Sequence, residues 1–331
     1  MPAQRVGLSV RQLRFRAMHV FVGGVGLSLG AVGPRASGSL LPTDGWQPRD
    51  NTADSELWWA FQKTLANEAA AYQAPPAGEA SGLVLFGDSI TERLRGTSLG
   101  QPKHEALDDG LHGVVNATFR TRWPVLQLHG VAGDMAEPHL LWRITEGGEL
   151  SPQMATDPRL LMSLLIGTND IGRMNKTAAD THKSVVAVAR ALLAGSRGLL
   201  LINALLPRAP SHFDIGFGDG TRIDWAARLH ETNALLAQST RSLGSEFGAG
   251  RVAFANCTDL PFRGKNRLHV NLRTMPDRVH PNRRGWRQLY DKCLKHELQI
   301  SNDEQLKYQI PTISTNKISH SQSQATLYNA A

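Results

Sequence analysis

Short apolar runs of strand length alternate along this chain with longer segments that have helical spacing. The apolar runs occupy residues 83–86, 125–128, 160–166, 199–204 and 252–255, and the helical segments occupy residues 54–72, 177–193, 223–243 and 282–298. Strands that alternate with helices form a parallel sheet covered on both faces, because the crossovers between parallel strands are right-handed. The pattern predicts one three-layer α/β domain over residues 50–299, with ligands at the carboxyl ends of its strands.

The beginning of the chain differs from the rest in composition. Five arginines and no acidic residue precede Asp44, and an apolar, glycine-rich run over residues 17–33 is followed by small residues at 36–38. This order is typical of a secretory signal peptide, so we predict a cleavable leader over residues 1–38 and a secreted or endomembrane protein. The alternatives are an organelle transit peptide, for a plastid or a mitochondrion, and a signal anchor. We expect no stable membrane span, because such a span needs about 20 strongly apolar residues.

The net charge of +7 does not by itself indicate a nucleic-acid partner. Five of the positive charges lie in the predicted leader, and no basic stripe interleaved with aromatic residues follows it, so we expect no nucleic-acid partner. The last segment, residues 301–331, is rich in Ser, Gln, Asn and Thr and lacks apolar periodicity. We predict that it is a disordered tail.

The chain contains two cysteines, Cys257 and Cys293, which are too few for a small fold held together by disulfides. Two buried thiols and one disulfide are both compatible with the sequence, since the distance between their Cα atoms is unknown at this stage. Asn116, Asn175 and Asn256 begin N-glycosylation motifs, which have meaning only in a secreted protein.

The strongest local signal is an apolar strand that runs directly into Gly87, Asp88 and Ser89. Gly87 permits a sharp turn, and the start of the following helix offers unpaired N–H groups that stabilise a developing negative charge. This setting predicts that Ser89 is a nucleophile, and a helix-capping serine is the alternative. Gly-x-Ser-x-Gly also occurs at residues 26–30 and 96–100, but neither match has the strand-to-helix setting of the α/β-hydrolase elbow.

Four further positions extend the predicted site. Asp277 and His280 precede the last helical segment, where a loop can bring Asp277 to one imidazole nitrogen while the other faces Ser89. A surface loop that caps the helix is the alternative interpretation. Gly133 and Asn169 follow apolar runs, so a backbone N–H and a side-chain amide are available at the same sheet edge. Together with the N–H of Ser89, they form a predicted oxyanion hole.

In order and spacing, these segments resemble the SGNH, or GDSL, hydrolase family. Gly87-Asp88-Ser89 matches the family's first block, Gly133 its second, Gly167-Thr168-Asn169-Asp170 its third, and Asp277 with His280 its fifth. The resemblance covers residues 83–285. It implies a three-layer α/β/α, flavodoxin-like fold with a five-stranded parallel sheet, a serine nucleophile and a catalytic triad of Ser89, Asp277 and His280.

Within that family, the chain is similar to the branch of platelet-activating-factor acetylhydrolase catalytic alpha subunits. The similarity lies in Gly133-Asp134, in residues 140–143 and 149–150, and in residues 205–208. The branch usually has Gly-Gly-Asp and Gly-Thr-Asn-Asn where this chain has Ala132-Gly133-Asp134 and Gly-Thr-Asn169-Asp170. The resemblance therefore implies the fold and the reaction type but not the phospholipid substrate.

Together these residues predict a serine esterase that hydrolyses a carboxylic ester, with an acetyl or other short acyl group favoured. The expected substrate is a small-molecule, lipid or acetylated-carbohydrate ester, bound by loops at residues 95–123, 207–224 and 258–276. No cofactor or metal is predicted, because the sequence lacks a His-Glu-x-x-His motif and a Cys/His cluster. The alternatives are an acyltransferase on the same scaffold and a non-catalytic carbohydrate- or protein-binding module.

Overall fold

The computed structural model describes residues 53–76, 79–103, 111–211, 214, 224–258 and 270–298. The predicted leader (1–38), the predicted tail (301–331) and the Gly-x-Ser-x-Gly match at 26–30 lie outside the described residues. Most of the two predicted binding loops at 207–224 and 258–276 is outside them as well. All of these remain predictions from the sequence.

A parallel sheet forms the centre of the domain. The strands are β1 (Leu83–Asp88), β2 (Thr97–Ser98), β3 (Gln101–Pro102), β4 (Leu126–Val131), β5 (Leu161–Leu165), β6 (Leu199–Asn203) and β7 (Val252–Ala255). Five of these strands form the sheet in the order β4-β1-β5-β6-β7, and each neighbouring pair is parallel. Strands β2 and β3 form a separate antiparallel hairpin. The predicted strands are confirmed, with small shifts at their ends.

Helices join and cover these strands. They are α1 (Ala53–Ala70), α2 (Ser89–Glu92), α3 (Leu111–Thr118), α4 (Leu141–Thr145), α5 (Pro152–Thr156), α6 (Thr168–Gly172), α7 (Ala178–Gly195), α8 (Trp225–Phe247) and α9 (Arg283–Leu289). A 3-10 turn covers Arg93–Arg95, and π-helical turns cover Ala136–Leu140 and Tyr290–Leu294. The helix predicted over residues 223–243 begins at Trp225, because the side chain of Asp224 caps it by accepting from Ala227 N.

The side chains of β1 explain why the domain has three layers. Every residue of β1 is buried, so both of its faces are covered, as expected of a central parallel strand. Leu83 and Leu85 belong to a core cluster that includes residues of α3 and α9. Val84 and Phe86 belong to a second cluster that includes residues of α7 and α8. Because side chains alternate along a strand, one continuous apolar run supports two cores.

The order of the strands places a crevice at the carboxyl end of β1. The chain leaves β1 for β4 on one side and later returns to β5 on the other side. In an open parallel sheet, ligands bind at such a reversal, because the two connections diverge there and leave space between them. Ser89 follows β1 directly and therefore lies at this crevice.

The segment predicted as a binding loop at residues 95–123 contains regular structure. The β2–β3 hairpin turns at Leu99 and Gly100, which both have positive φ angles as a tight hairpin turn requires. Helix α3 buries Leu111, Val114 and Val115 in the core. The sequence did not indicate α3, because eight residues that include Gly113 are too few for a clear helical period.

Cys257 and Cys293 form a disulfide, with their Cα atoms 5.8 Å apart. Cys257 follows β7, and Cys293 lies in the helical segment after α9, so the bridge joins the edge of the sheet to the helix that follows His280. Both cysteines are buried. Among the helices of the described ranges, none is both long enough and apolar enough to cross a bilayer.

Replacing both cysteines by alanine should lower the free energy of unfolding by about 2–4 kcal/mol, because the bridge restricts the unfolded chain. Urea unfolding with and without reductant measures the effect. The wild type should lose stability on reduction, whereas the Cys257→Ala/Cys293→Ala variant should be insensitive to reductant. Two free thiols in folded, non-reduced wild type would contradict the pairing.

Candidate active site

The end of β1 has an unusually tight backbone environment. A Cβ atom on Gly87 would collide with the backbone oxygen of Leu165, on the neighbouring strand β5, and with the side chain of Thr91. Gly130 on β4 is equally enclosed, because a Cβ there would meet the backbone of Glu92. These glycines let α2 begin immediately after β1 and pack close to the sheet, which places Ser89 at its carboxyl edge.

Ser89, His280 and Asp277 lie in hydrogen-bond contact. The Oγ of Ser89 is 2.8 Å from Nε2 of His280, and Nδ1 of His280 is 2.7 Å from Oδ2 of Asp277. The other carboxylate oxygen of Asp277 accepts from the backbone N–H groups of Val279 and His280. This local turn fixes the position of the carboxylate relative to the imidazole. Within the turn, Arg278 adopts a left-handed conformation, with a φ of 71°.

Burial has a large effect on the charge state of this group. Burial lowers the pKa of His280 to about 4, the hydrogen bond to Asp277 opposes this change, and the positive charge of Arg93 adds to it. Burial would raise the pKa of Asp277, but the hydrogen bond and charge of His280 and the charge of Arg93 together hold it below its ordinary value. At neutral pH, His280 is therefore an unprotonated base beside an ionised carboxylate.

Arg93 interacts directly with the carboxylate. Its guanidinium is 2.9 Å from Oδ2 of Asp277, the same oxygen that contacts His280. Arg93 lies in the 3-10 turn directly after α2, so the segment that carries Ser89 also places this cation against Asp277. No sequence pattern indicates this role of Arg93, since an arginine after a helix is most often a solvated surface residue.

Gly133 and Asn169 line the same cleft as Ser89 and His280. Gly133 has a φ of 82°, which favours glycine at this turn after β4. One amide hydrogen of Asn169 Nδ2 is directed to the backbone oxygen of Asp134, at 2.8 Å. The second hydrogen of this NH₂ group is still available for another acceptor. Ser89, Gly133, Asn169 and His280 thus line one cleft of about 470 Å³, and Asp277 contacts His280 from behind it.

Glu92 connects two walls of the cleft from a buried position. Its Oε2 accepts from Ala132 N at 2.6 Å, next to Gly133. Its Oε1 accepts from Gly100 N and from the hydroxyl of Thr97, which fixes the β2–β3 hairpin. One carboxylate therefore fixes both the turn after β4 and the hairpin that contributes Leu99 to the cleft.

A buried network of charged side chains supports the turn after β4. Arg143 donates to Asp134 and to both oxygens of Glu149, and it also donates to the backbone oxygens of Gly87 and His129. Burial disfavours both charges, but their attraction and hydrogen bonds hold the pKa of Arg143 above its ordinary value and that of Glu149 below its ordinary value. Trp58 of α1 donates to the second oxygen of Asp134 at 2.7 Å.

Asp88 and Arg208 complete the buried surroundings of the site. Asp88 accepts from Ile90 N through Oδ1, while its Oδ2 has no hydrogen-bond partner in the described structure, and burial raises its pKa to about 7. Arg208 donates to the backbone and hydroxyl oxygens of Thr168, pairs with Asp214 and stacks on Trp225. Arg208 therefore supports the turn that carries Asn169.

The described ranges contain no group of three or more His, Cys, Asp or Glu side chains arranged to hold a metal ion. The polar groups gathered at the carboxyl edge are a serine, a histidine, a carboxylate and several hydrogen-bond donors. This donor set is suited to acyl chemistry through a nucleophile and a base.

The strand order and this group of side chains at the carboxyl edge define a three-layer α/β protein of the flavodoxin-like SGNH hydrolase class. A model of the GDSL-like lipase/acylhydrolase family matches residues 85–288, which is more than half of the chain. The chain belongs to this family. No curated protein matches it.

Solved structures with this fold include two proteins of Bacteroides. One, from Bacteroides fragilis, is named a "putative acylhydrolase"; it is 19% identical, the match covers 75% of this chain and 98% of that chain, and the TM-score is 0.52. The other is a GDSL-like lipase from Bacteroides thetaiotaomicron, which is 20% identical over 73% of this chain and 99% of that chain, with a TM-score of 0.52. At this level of identity, the likeness shows the fold alone.

Replacing Arg143 by methionine should lower the free energy of unfolding by about 3–5 kcal/mol, because Asp134 and Glu149 would remain buried without their partner. The matched control is Arg190→Met, which removes an ion pair with Glu246 whose side chains are 48% and 43% exposed. That change should cost less than about 1 kcal/mol. Chemical denaturation of both variants measures the difference, and equal losses would contradict the structural role of the network.

Proposed function

We propose that this protein is a serine esterase that hydrolyses carboxylic esters through Ser89, His280 and Asp277. The observation that carries the proposal is the continuous contact from Ser89 Oγ through the imidazole of His280 to the carboxylate of Asp277. A serine hydroxyl is a weak nucleophile until a neighbouring base accepts its proton. The low pKa of His280 supports the same assignment, since only the unprotonated imidazole accepts that proton.

The reaction has two halves. As Ser89 Oγ attacks the ester carbonyl, its proton passes to Nε2 of His280, and the carbonyl oxygen becomes negative. When the tetrahedral intermediate collapses, the alcohol leaves with the proton from His280, and the acyl group stays on Ser89. Water then attacks the acyl-enzyme, its proton passes to His280, and collapse returns that proton to Ser89 Oγ as the acid departs. Asp277 orients the imidazole and stabilises its charged form in both halves.

The backbone N–H groups of Ser89 and Gly133 and the side-chain amide of Asn169 donate to the oxyanion in this proposal. Ser89 is the first residue of α2, where the N–H has no acceptor within the helix. Glu92 holds the backbone next to Gly133, and Asp134 accepts one amide hydrogen of Asn169, so both donors are fixed before substrate binds. Preorganised donors of this kind contribute the most in a site that excludes water.

A short acyl group fits the described walls of the cleft. Its apolar lining residues are limited to Leu99, Ala132, Gly133 and Val279 among the residues that the structure describes. A long acyl chain would need more apolar surface, because each buried CH₂ contributes about 0.8 kcal/mol only where water is excluded from it. We therefore propose acetyl or another short acyl group, in a small ester or an acetylated carbohydrate.

We also propose that the protein is exported to an oxidising compartment. The buried Cys257–Cys293 disulfide supports this, because disulfides persist in secreted and endomembrane proteins and are rare in reducing compartments. The basic, then apolar leader predicted from the sequence agrees with the same route.

Ser89→Ala should abolish both ester hydrolysis and covalent labelling by a fluorophosphonate, because the alanine has no oxygen to attack phosphorus or carbon. The measurement is labelling by mass spectrometry and turnover of p-nitrophenyl acetate, with circular dichroism to show that the variant folds. Ser98→Ala is the matched control, since Ser98 also lines the cleft, whereas the hydroxyl 2.8 Å from His280 Nε2 is that of Ser89. Labelling that persists at another residue of the Ser89→Ala variant would exclude Ser89 as the nucleophile.

The pH dependence of kcat/KM tests the role of His280. Because the rate requires unprotonated His280, its acid limb should lie well below the ordinary histidine pKa of about 6.5. Arg93→Gln removes a positive charge that lowers the pKa of His280, so the limb should move to higher pH, by roughly 0.5–1 unit. Lys183→Gln, on the exposed side of α7, should leave it unchanged. A limb that moves to lower pH in Arg93→Gln would contradict this assignment.

A further inference from the structure

The catalytic cleft, meaning the cleft lined by Ser89, His280, Gly133 and Asn169, contains more cationic side chains than the proposed triad requires. Arg93, Lys103, Arg173 and Arg208 also line it. Among the described lining residues, Glu92 is the one carboxylate. The lining is therefore biased towards positive charge.

Because some of the charged lining residues are buried, the solvent-accessible surface of the cleft is even more strongly biased towards positive charge. Glu92 is fully buried, and its two oxygens accept hydrogen bonds from Thr97, Gly100 and Ala132. Arg208 is also buried and pairs with Asp214. The charged lining residues that reach solvent are Arg93 and Lys103, which are half-buried, and Arg173, which is exposed. All of these accessible charges are positive.

Arg173 is the cation best placed to bind a ligand. It caps the carboxyl end of α6, and its N–H donates to the backbone oxygen of Asn169 at 2.8 Å. Residues four apart in a helix lie on the same side, so Arg173 and Asn169 face the cleft together. Arg93 is paired with Asp277, but the guanidinium of Arg173 has no ion-pair or hydrogen-bond partner among the described residues.

We infer that the ester hydrolysed at Ser89 carries an anionic oxygen group, a carboxylate or a phosphate, and that Arg173 binds this group. The inference rests on the proposed esterase function and deepens it. A guanidinium presents parallel N–H donors that match two oxygens of a carboxylate or a phosphate. The exposed charge of Arg173 also attracts anionic substrates to the cleft from a distance.

Three aryl acetates with the same scissile acetyl ester test the inference on the full-length protein. Methyl 4-acetoxybenzoate is neutral, 4-acetoxybenzoate carries a carboxylate, and 4-acetoxyphenyl phosphate carries a phosphate. The quantity measured is kcat/KM for each anionic ester divided by that for the neutral ester. Comparing this ratio between wild type and variants cancels the intrinsic reactivity of each ester.

Arg173→Gln should lower the ratio about tenfold for whichever anionic group Arg173 binds, mainly through KM, with the neutral ester little affected. Arg173→Glu should lower it further, because repulsion replaces attraction. Raising the salt from about 0.05 M to about 0.5 M should lower the wild-type ratio, since salt screens exposed charges. Arg190→Gln, which removes a cation on α7 that pairs with Glu246, is the matched control and should leave the ratio unchanged.

The outcomes separate this inference from the proposed function. If the acetates are hydrolysed but neither ratio changes in Arg173→Gln, anion binding by Arg173 is wrong and the esterase function stands. Equal losses of kcat for the neutral and anionic esters would also overturn it, because they indicate a structural role for Arg173. If no ester is hydrolysed by the wild type or labelled at Ser89, the proposed function fails and the inference fails with it.

Discussion

The guanidinium of Arg143 connects the two strand ends on which the site is built. It donates to the backbone oxygens of Gly87 on β1 and His129 on β4, and it pairs with Asp134 and Glu149. All of these partners are buried away from bulk water. Each hydrogen bond therefore replaces one that the buried group would otherwise make with water. The turn that carries Gly133 and Asp134 therefore has a fixed position relative to Ser89.

The rest of the site is added to this fixed edge from distant parts of the sequence. Asn169 follows β5 and donates to the backbone oxygen of Asp134. His280 and Asp277 come from the last part of the described chain, where the backbone N–H groups of Val279 and His280 donate to the Asp277 carboxylate. The following helical segment is linked to the end of β7 by the Cys257–Cys293 disulfide. Ser89 and His280 are 191 residues apart in sequence, yet Ser89 Oγ lies 2.8 Å from His280 Nε2.

Burial and neighbouring charges shift the pKa values of His280 and Asp277, and the balance between these effects sets the charge state of each residue. Burial favours neutral His280, which is the form that accepts a proton, while the ionised Asp277 keeps the imidazole oriented. The carboxylates near Ser89 are either buried, as in Asp88, Asp134 and Glu92, or paired with an arginine, as in Asp277. Among the cations that line the cleft, Arg173 is exposed and has no ion-pair partner among the described residues. The accessible lining is therefore positive although the protein without its predicted leader is nearly neutral.

The sequence by itself determined the layers of the fold and the set of chemical groups at its edge. Continuous apolar runs of strand length are typical of strands buried on both faces, and such strands form a parallel sheet covered by helices. The carboxyl ends of these strands bring Ser89, Gly133 and Asn169 to one edge of the sheet. The roles of Arg93, Glu92, Arg143 and Arg173 could not be predicted, because their partners are remote in sequence and an isolated charged residue usually lies on a solvated surface. Only the packing of α2, the β2–β3 hairpin and the turn after β4 decided which charges are buried and paired. The pairing of Cys257 with Cys293 was likewise decided by tertiary structure, since it depends on a distance between Cα atoms that no local pattern contains.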